Sequence, residues 1–310
     1  MEKLAIIGCG TMGHSIALNA AIAEIQVKMY GVDEGDVECG KAGILKNLTT
    51  LSEHGFMDTD KALQISSKII TSTSITEVIE DSTYVIEAIP EDLNLKMNLF
   101  QKLDKLCNED IILASNTSGL SPTAIASLTK NAQRIIVTHF WNPAHLVPLV
   151  EVVRGKETND ITVSRTFELL KIMKKKPIEV QKEVPGFVAN RLQLALFREA
   201  LFLYEQGIAS KEDIDKAVVY SIGRRLCMTG PLLSADMGGL DVFSSISDYL
   251  FSNLCNTSES FTSIKDLVKD NKLGSKSGQG YYNWDKAFTE KMNNKRDAEL
   301  IRFLKLDLEY

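Results

Sequence analysis

Short β-branched and aliphatic runs alternate, in the first part of the chain, with longer stretches whose apolar residues recur every three or four positions. Strands are expected at Leu4–Ile7, Ile25–Tyr30, Tyr84–Ile89, Ile111–Ala114, Ile135–Thr138, Leu149–Val153 and Ile178–Val180. Several are unbroken apolar runs, which suits strands covered on both faces. Helices fall between them. Asp92 can cap one in which Leu93, Met97, Phe100, Leu103 and Cys107 follow at helical spacing. Ser121 before Pro122 marks another start, and Asn159 precedes a segment ending near Met173. Strand–helix alternation of this kind predicts an α/β fold built on a doubly wound parallel sheet.

The pattern changes after Pro185-Gly186. Phe187 to Tyr204 is apolar nearly all round, which predicts a buried helix. Ser210 with Asp213 three residues on resembles a capping box, and helical patterns continue at Val242–Leu254 and Ile264–Lys269. Strands do not reappear. The expected division is therefore residues 1–185 as a nucleotide-binding domain and 186–310 as a second, all-helical domain. The charged tail from Lys286, with Leu300, Ile301 and Leu304, reads as a surface helix packed on one face.

Composition narrows the function classes. The net charge of −6 over 310 residues gives no basic surface for nucleic acid. The five cysteines, Cys9, Cys39, Cys107, Cys227 and Cys255, are odd in number and lack C-x-x-C spacing. Neither a disulfide framework nor a metal site is expected, and a reducing, cytoplasmic setting fits. The apolar stretch from Ile16 to Ala23 is too short to span a membrane.

The strand Leu4–Ile7 runs into Gly8-Cys9-Gly10-Thr11-Met12-Gly13 and then an apolar helix. This is the dinucleotide-binding fingerprint in its required context, and it makes the fold Rossmann-type. Gly8 permits the tight turn, Gly10 lets the backbone approach a pyrophosphate on the helix N-terminus, and Gly13 lets helix and strand pack closely. An acidic residue normally ends the second strand and holds the adenosine ribose. Here Tyr30 is followed by Gly31, and Asp33 comes two later. Asp33 is either a displaced ribose ligand or only the cap of the next helix. Because Asp33, Glu34 and Asp36 would repel a 2′-phosphate, the expected cofactor is NAD.

Some polar residues interrupt apolar surroundings. Glu151 lies within Leu149-Val150-Glu151-Val152-Val153, and a buried carboxylate needs a partner. His139 ends the preceding strand and can supply one. The pair suits a general base for a hydroxyl proton, although a plain buried His–Glu pair has the same pattern. Ser118 follows a strand at the sheet edge where such folds bind ligands, and Asn190 breaks an apolar helix. His145 is a weaker second candidate, while His14 and His54 read as surface residues.

At these residues the chain resembles the 3-hydroxyacyl-CoA dehydrogenase family. The resemblance covers residues 1 to about 284 and rests on Gly8–Gly13, Glu87-Ala88-Ile89-Pro90-Glu91, Ser115-Asn116-Thr117-Ser118, His139-Phe140-Trp141-Asn142-Pro143, Leu149-Val150-Glu151-Val152, Pro185–Leu192, Gly230-Pro231 with Asp236, and Gly274–Tyr282. It implies a Rossmann domain, a helical domain and a homodimer formed through the helical domains. It also implies that His139 is the base, that Glu151 is its partner, and that Ser118 and Asn190 hold the substrate oxygens. By the same resemblance Ala88, Ile89, Glu91, Lys96, Ser118, Asn142 and Lys276 join the fingerprint residues at the cofactor.

The chain also departs from the family. Gly31 stands in place of the ribose-binding acid. A family serine and lysine that contact CoA align with Asn47 and His54. Leu146-Val147-Pro148-Leu149 looks more like relatives that act on free hydroxy acids, of the gulonate and carnitine type, whereas Gly230–Asp241 looks like the acyl-CoA enzymes. The resemblance thus implies a small-molecule substrate, foremost a 3-hydroxyacyl-CoA such as 3-hydroxybutyryl-CoA, with a free hydroxy acid as the alternative. A non-catalytic NAD-binding protein is the remaining reading, against which the intact His139, Glu151, Ser118 and Asn190 set speaks.

Overall fold

A computed structural model describes residues 2–309. Contacts divide the chain into two units, Met1–Asn190 together with Asn294–Tyr310, and Arg191–Asn293. The sequence pattern assigned everything after residue 185 to the helical domain. The contacts instead return the tail to the first unit.

The first unit runs β1 (Lys3–Ile7), α1 (Thr11–Ile22), β2 (Gln26–Tyr30), α2 (Glu34–Glu53), α3 (Thr59–Ser67), β3 (Ile69–Ser72), α4 (Ile75–Ile79), β4 (Tyr84–Glu87), α5 (Leu93–Leu106), β5 (Ile112–Ser115), α6 (Pro122–Ala126), β6 (Ile135–Phe140), β7 (Leu149–Arg154), α7 (Asp160–Ile172) and β8 (Lys176–Val180). The strands form one eight-stranded sheet in the order β3-β2-β1-β4-β5-β6-β7-β8. Pairing is parallel except between β6 and β7. The chain winds outward from β1 in both directions, so the edge beyond β1 and β4 is a topological switch point, where such sheets bind ligands.

Local chemistry sets the helix starts. The side chains of Asp92, Ser121 and Asn159 accept from the backbone N–H three residues on, closing α5, α6 and α7 as the sequence predicts. Apolar residues on the two faces of the sheet then pack against the helices. Ile6, Ile16, Met29, Ile86 and Val152 belong to one core cluster, and Ile7, Val85, Phe100, Leu103 and Leu113 to the other. β3 was not expected. It is a half-buried edge strand without strict alternation, and pairing with β2 fixes it.

The second unit contains most of α8 (Ala189–Glu205), then α9 (Lys211–Ala217), α10 (Gly223–Gly238), α11 (Leu240–Leu250) and α12 (Thr262–Lys269), and the first turns of α13 (Lys286–Glu309). Ser210 caps α9 as its pattern predicts. Gly230, at φ +66°, and Pro231 interrupt α10, because neither residue continues a helical backbone there. α8 corrects an expectation. Its apolar residues do not make it a buried helix, since Leu192, Leu194, Leu196 and Phe197 are exposed in the single chain and Leu201 is buried. In the first unit the end of α13 is anchored. Ile301 and Leu304 join the core, and Lys305 Nζ donates to the His54 carbonyl at 2.8 Å.

Candidate active site

The glycine turn has the geometry its pattern requires. Gly8, at φ +117°, donates its N–H to Tyr30 O at 2.9 Å, and a Cβ there would lie 2.7 Å from Ala88 O. A Cβ on Gly13 would stand 1.9 Å from Gly8 O, so α1 packs directly on the turn. A Cβ on Gly10 would meet nothing within 4 Å. The cradle is therefore closed on the protein side and open at the N-terminus of α1, where a pyrophosphate fits the free N–H groups. Cys9 is buried, Met12 half-buried and Thr11 exposed as the first residue of α1. Ala88 and Ile89 extend β4 beside the turn and are half-buried.

At the end of β2, Asp33 caps α2 by accepting from Asp36 N at 2.8 Å. Asp33 thus serves as the helix cap that one of the two sequence readings gave it. Gly31 is enclosed, since a Cβ would lie 2.7 Å from Val37 Cγ2 and 3.0 Å from Val37 N. Asp33 and Glu34 point their charge outward beside it.

Strand register brings His139 and Glu151 together. They are direct partners across the antiparallel β6–β7 pair. His139 Nδ1 lies 2.8 Å from Glu151 Oε2, and an acceptor carboxylate calls for the tautomer in which Nδ1 donates, with Nε2 outside the pair. Trp141 Nε1 donates to the same oxygen at 3.3 Å, while the N–H groups of Val188 and Ala189, where α8 begins, donate to Oε1 at 2.8 and 3.0 Å. Burial pushes the Glu151 carboxyl up. The bonds from His139, Ala189, Val188 and Trp141 outweigh it and hold the group below the ordinary carboxylate range. The buried partner of His139 is thus held as a carboxylate at neutral pH. The rings of Trp141 and Phe187 flank the imidazole with centroids 5.6 and 5.8 Å away.

The other two predicted groups meet each other. Asn190 Nδ2 donates to the Ser118 carbonyl at 3.1 Å, and its place just after Ala189 ties the Ser118 loop to the residues that hold Glu151. Ser118 is exposed, so its hydroxyl is open to a ligand. Its N–H donates to Glu91 Oε1 at 2.9 Å, and Thr117 Oγ1 donates to the same atom at 2.6 Å. Glu91 in turn lies 3.4 Å from Lys96 Nζ.

Lys96 is turned inward, with its side chain only 1 % exposed and its Nζ 2.5 Å from Glu87 Oε1. Burial raises the Glu87 carboxyl against the pull of Lys96 and Ser115. Buried Glu87 and Lys96, with the exposed Glu91, form a brace under the loop that carries Ser118. Sequence reasoning found Glu91 and Lys96 but not this arrangement. The signal was Glu87 itself, a charge closing an apolar strand. Asn142 is exposed past the end of β6, and Lys276 is exposed in the second unit.

His145 is not part of the constellation. It is buried against Ser15, and burial drives its pKa to about 3. His14 and His54 are half-buried, not surface residues as their sequence positions suggested. His14 sits against the glycine turn, with Nδ1 3.4 Å from Cys9 O.

The family model described as 3-hydroxyacyl-CoA dehydrogenase, NAD binding domain, matches residues 3–184, and that of the C-terminal domain matches 186–284. A 3-hydroxybutyryl-CoA dehydrogenase of Clostridioides difficile is 39% identical over 286 residues, which is 92% of this chain and 100% of the relative. The 5-formyl-3-hydroxy-2-methylpyridine 4-carboxylate 5-dehydrogenase of Mesorhizobium japonicum is 32% identical over 97% of this chain and 96% of its own. A solved structure of an enzyme of that name, described as an NAD+ dependent dismutase, superposes with a TM-score of 0.91 at 30% identity, covering 99% of this chain and 98% of that one. The (S)-3-hydroxybutyryl-CoA dehydrogenase of Ralstonia eutropha superposes with a TM-score of 0.75 at 33% identity, over 92% of this chain and 100% of that one.

Proposed function

The chain belongs to the 3-hydroxyacyl-CoA dehydrogenase family and takes NAD as its cofactor, and from that premise we propose that it oxidises the 3-hydroxyl of a 3-hydroxyacyl-CoA such as 3-hydroxybutyryl-CoA. The observation that carries this reading is the His139–Glu151 contact of 2.8 Å across β6 and β7, beside the start of α8, where Asn190 holds the Ser118 loop. NAD supplies the hydride acceptor, held by Gly8–Gly13 and the loops after β4 and β5. His139 Nε2 removes the hydroxyl proton. Glu151 keeps the other imidazole nitrogen as a donor and stabilises the imidazolium that forms. Ser118 and Asn190 donate to the substrate oxygens and hold the reacting carbon in place.

The resemblance expects a CoA-binding lysine where this chain has His54, and Lys305 Nζ supplies a cation at that turn. A second reading is favoured by one relative. The Mesorhizobium enzyme, whose name gives a pyridine carboxylate as substrate, matches 97% of the chain, and the solved structure of that name superposes with a TM-score of 0.91 against 0.75 for the Ralstonia enzyme. On that reading the substrate is a free acid of carnitine, gulonate or pyridine-carboxylate type. The deciding measurement is kcat/KM for 3-hydroxybutyryl-CoA against 3-hydroxybutyrate, carnitine, gulonate and the pyridine carboxylate. A CoA enzyme favours the thioester strongly, and Lys305→Ala raises KM for the thioester alone. Equal or better turnover of a free acid overturns the acyl-CoA assignment.

The exposed apolar surface of the second unit, including Met228, Leu232 and Met237, supports a homodimer formed through it. Among the described residues no helix is long and apolar enough to cross a membrane. The scattered free cysteines fit a cytoplasmic enzyme.

A further inference from the structure

The segment Trp141–Pro148 joins β6, which bears His139, to β7, which bears Glu151, and it carries Trp141 against Glu151 at 3.3 Å. Two side chains from outside the segment anchor it. Ser15 on α1 is one. Its hydroxyl accepts from His145 N at 3.0 Å and lies 2.8 Å from His145 Nδ1. Lys175, just before β8, is the other. Its Nζ donates to the carbonyls of Ala144 and Val147, the latter at 3.1 Å.

Lys175 is 5 % exposed, and among the described ion pairs none provides it with a carboxylate. Burial alone pushes its pKa down to about 7. A buried amine without a counter-charge is costly, and a methionine would fill the same space without that cost. What the amine adds is a pair of hydrogen bonds to one loop, and either protonation state has enough protons for both.

We propose that Lys175 is a positioning residue for the His139–Glu151 pair, acting through the Trp141–Pro148 loop. By holding Ala144 and Val147 it fixes where the loop leaves β6 and enters β7, and so where Trp141 meets Glu151. The proposal rests on the reading of His139 and Glu151 as base and partner.

The structure supplies a specific test. Lys175 lines a cavity of about 270 Å³ together with Asn19, Phe56, His145, Leu304 and Leu308. In Lys175→Ala, that cavity admits a small alkylamine where the side chain has been removed. Trp141 and Trp284 are the two tryptophans of the chain, so Trp284→Phe makes Trp141 the reporter. In that background, Lys175→Ala and Lys175→Met are expected to move Trp141 emission to longer wavelength. They should lower kcat on the order of 10- to 100-fold, as a misplaced catalytic group does, with KM little changed. Propylamine should restore both emission and kcat in Lys175→Ala, and propanol of the same length should not.

Wild-type emission and kcat in the variants overturn the proposal. So does a loss in folded Lys175→Ala that propylamine does not reverse. If neither variant folds even with propylamine present, Lys175 is assigned to stability and the positioning role is lost. The emission measurement needs no substrate. Retention of turnover by His139→Gln would overturn the base assignment separately.

Discussion

Replacing Glu151 with Gln keeps the shape of the side chain and removes its charge, and the surroundings of Glu151 make the outcome calculable. The carboxylate takes four donors, two on each oxygen. An amide has one acceptor oxygen, so its NH2 must face the other two donors. If the NH2 faces Val188 and Ala189, two part-buried backbone donors lose a charged acceptor. If it faces His139, the imidazole must take the other tautomer, with the proton on Nε2 where the base needs its lone pair. A hydrogen bond to a charged group contributes about 1.5–3 kcal/mol, so losing two costs about 3–6 kcal/mol of stability. The tautomer change removes general-base catalysis, a factor of about 10²–10⁴ in kcat.

The assays are denaturant unfolding, kcat, and NADH titration by fluorescence, with NADH affinity expected to change little. His139→Gln should match the loss in kcat. The pH dependence of stability gives an independent check. The native Glu151 carboxyl lies below its ordinary range, because its hydrogen bonds outweigh the effect of burial. Its stabilisation is therefore fully present above that range and is lost as pH falls through the native value. The stability gap between wild type and Glu151→Gln should shrink in acid. Near-normal kcat together with near-normal stability in Glu151→Gln, near-normal kcat in His139→Gln, or a gap that widens as pH falls, would refute the reasoning.

Cofactor choice follows from the carboxylates past β2. Asp33, Glu34 and Asp36 disfavour a 2′-phosphate, so kcat/KM should favour NAD over NADP, and equal values would refute this. Gly31→Asp, which the sequence pattern suggests as a gain in ribose binding, is expected to weaken both folding and NAD affinity, because a Cβ there lies 2.7 Å from Val37 Cγ2. Tighter NAD binding by a fully stable Gly31→Asp would show that the α2 start yields. For assembly, Leu232 is 84 % and Met228 77 % exposed in the single chain, and light scattering should find a dimer. A monomer at micromolar concentration would count against that interface.

Local chemistry was legible in the amino-acid order. The glycine turn, the caps at Asp92, Ser121, Asn159 and Ser210, and the apolar strands each depend on residues within a few positions of one another. The His139–Glu151 pair was legible for a different reason. A carboxylate inside an apolar strand demands a partner, and the adjacent strand offered one. Strand direction was not readable in the same way. β7 turns back against β6, and that reversal puts His139 opposite Glu151.

The edge strand β3, the inward turn of Lys96 between two carboxylates, and the amides of Val188 and Ala189 on Glu151 all join residues from separate parts of the chain. The tail shows the same limit. Its apolar stripe announced a packed helix, but nothing in the stripe said that residues 294–310 pack with the first unit. Periodicity and capping are written in neighbouring residues. The choice among distant partners is made only when the packed chain decides which buried polar groups can reach one another.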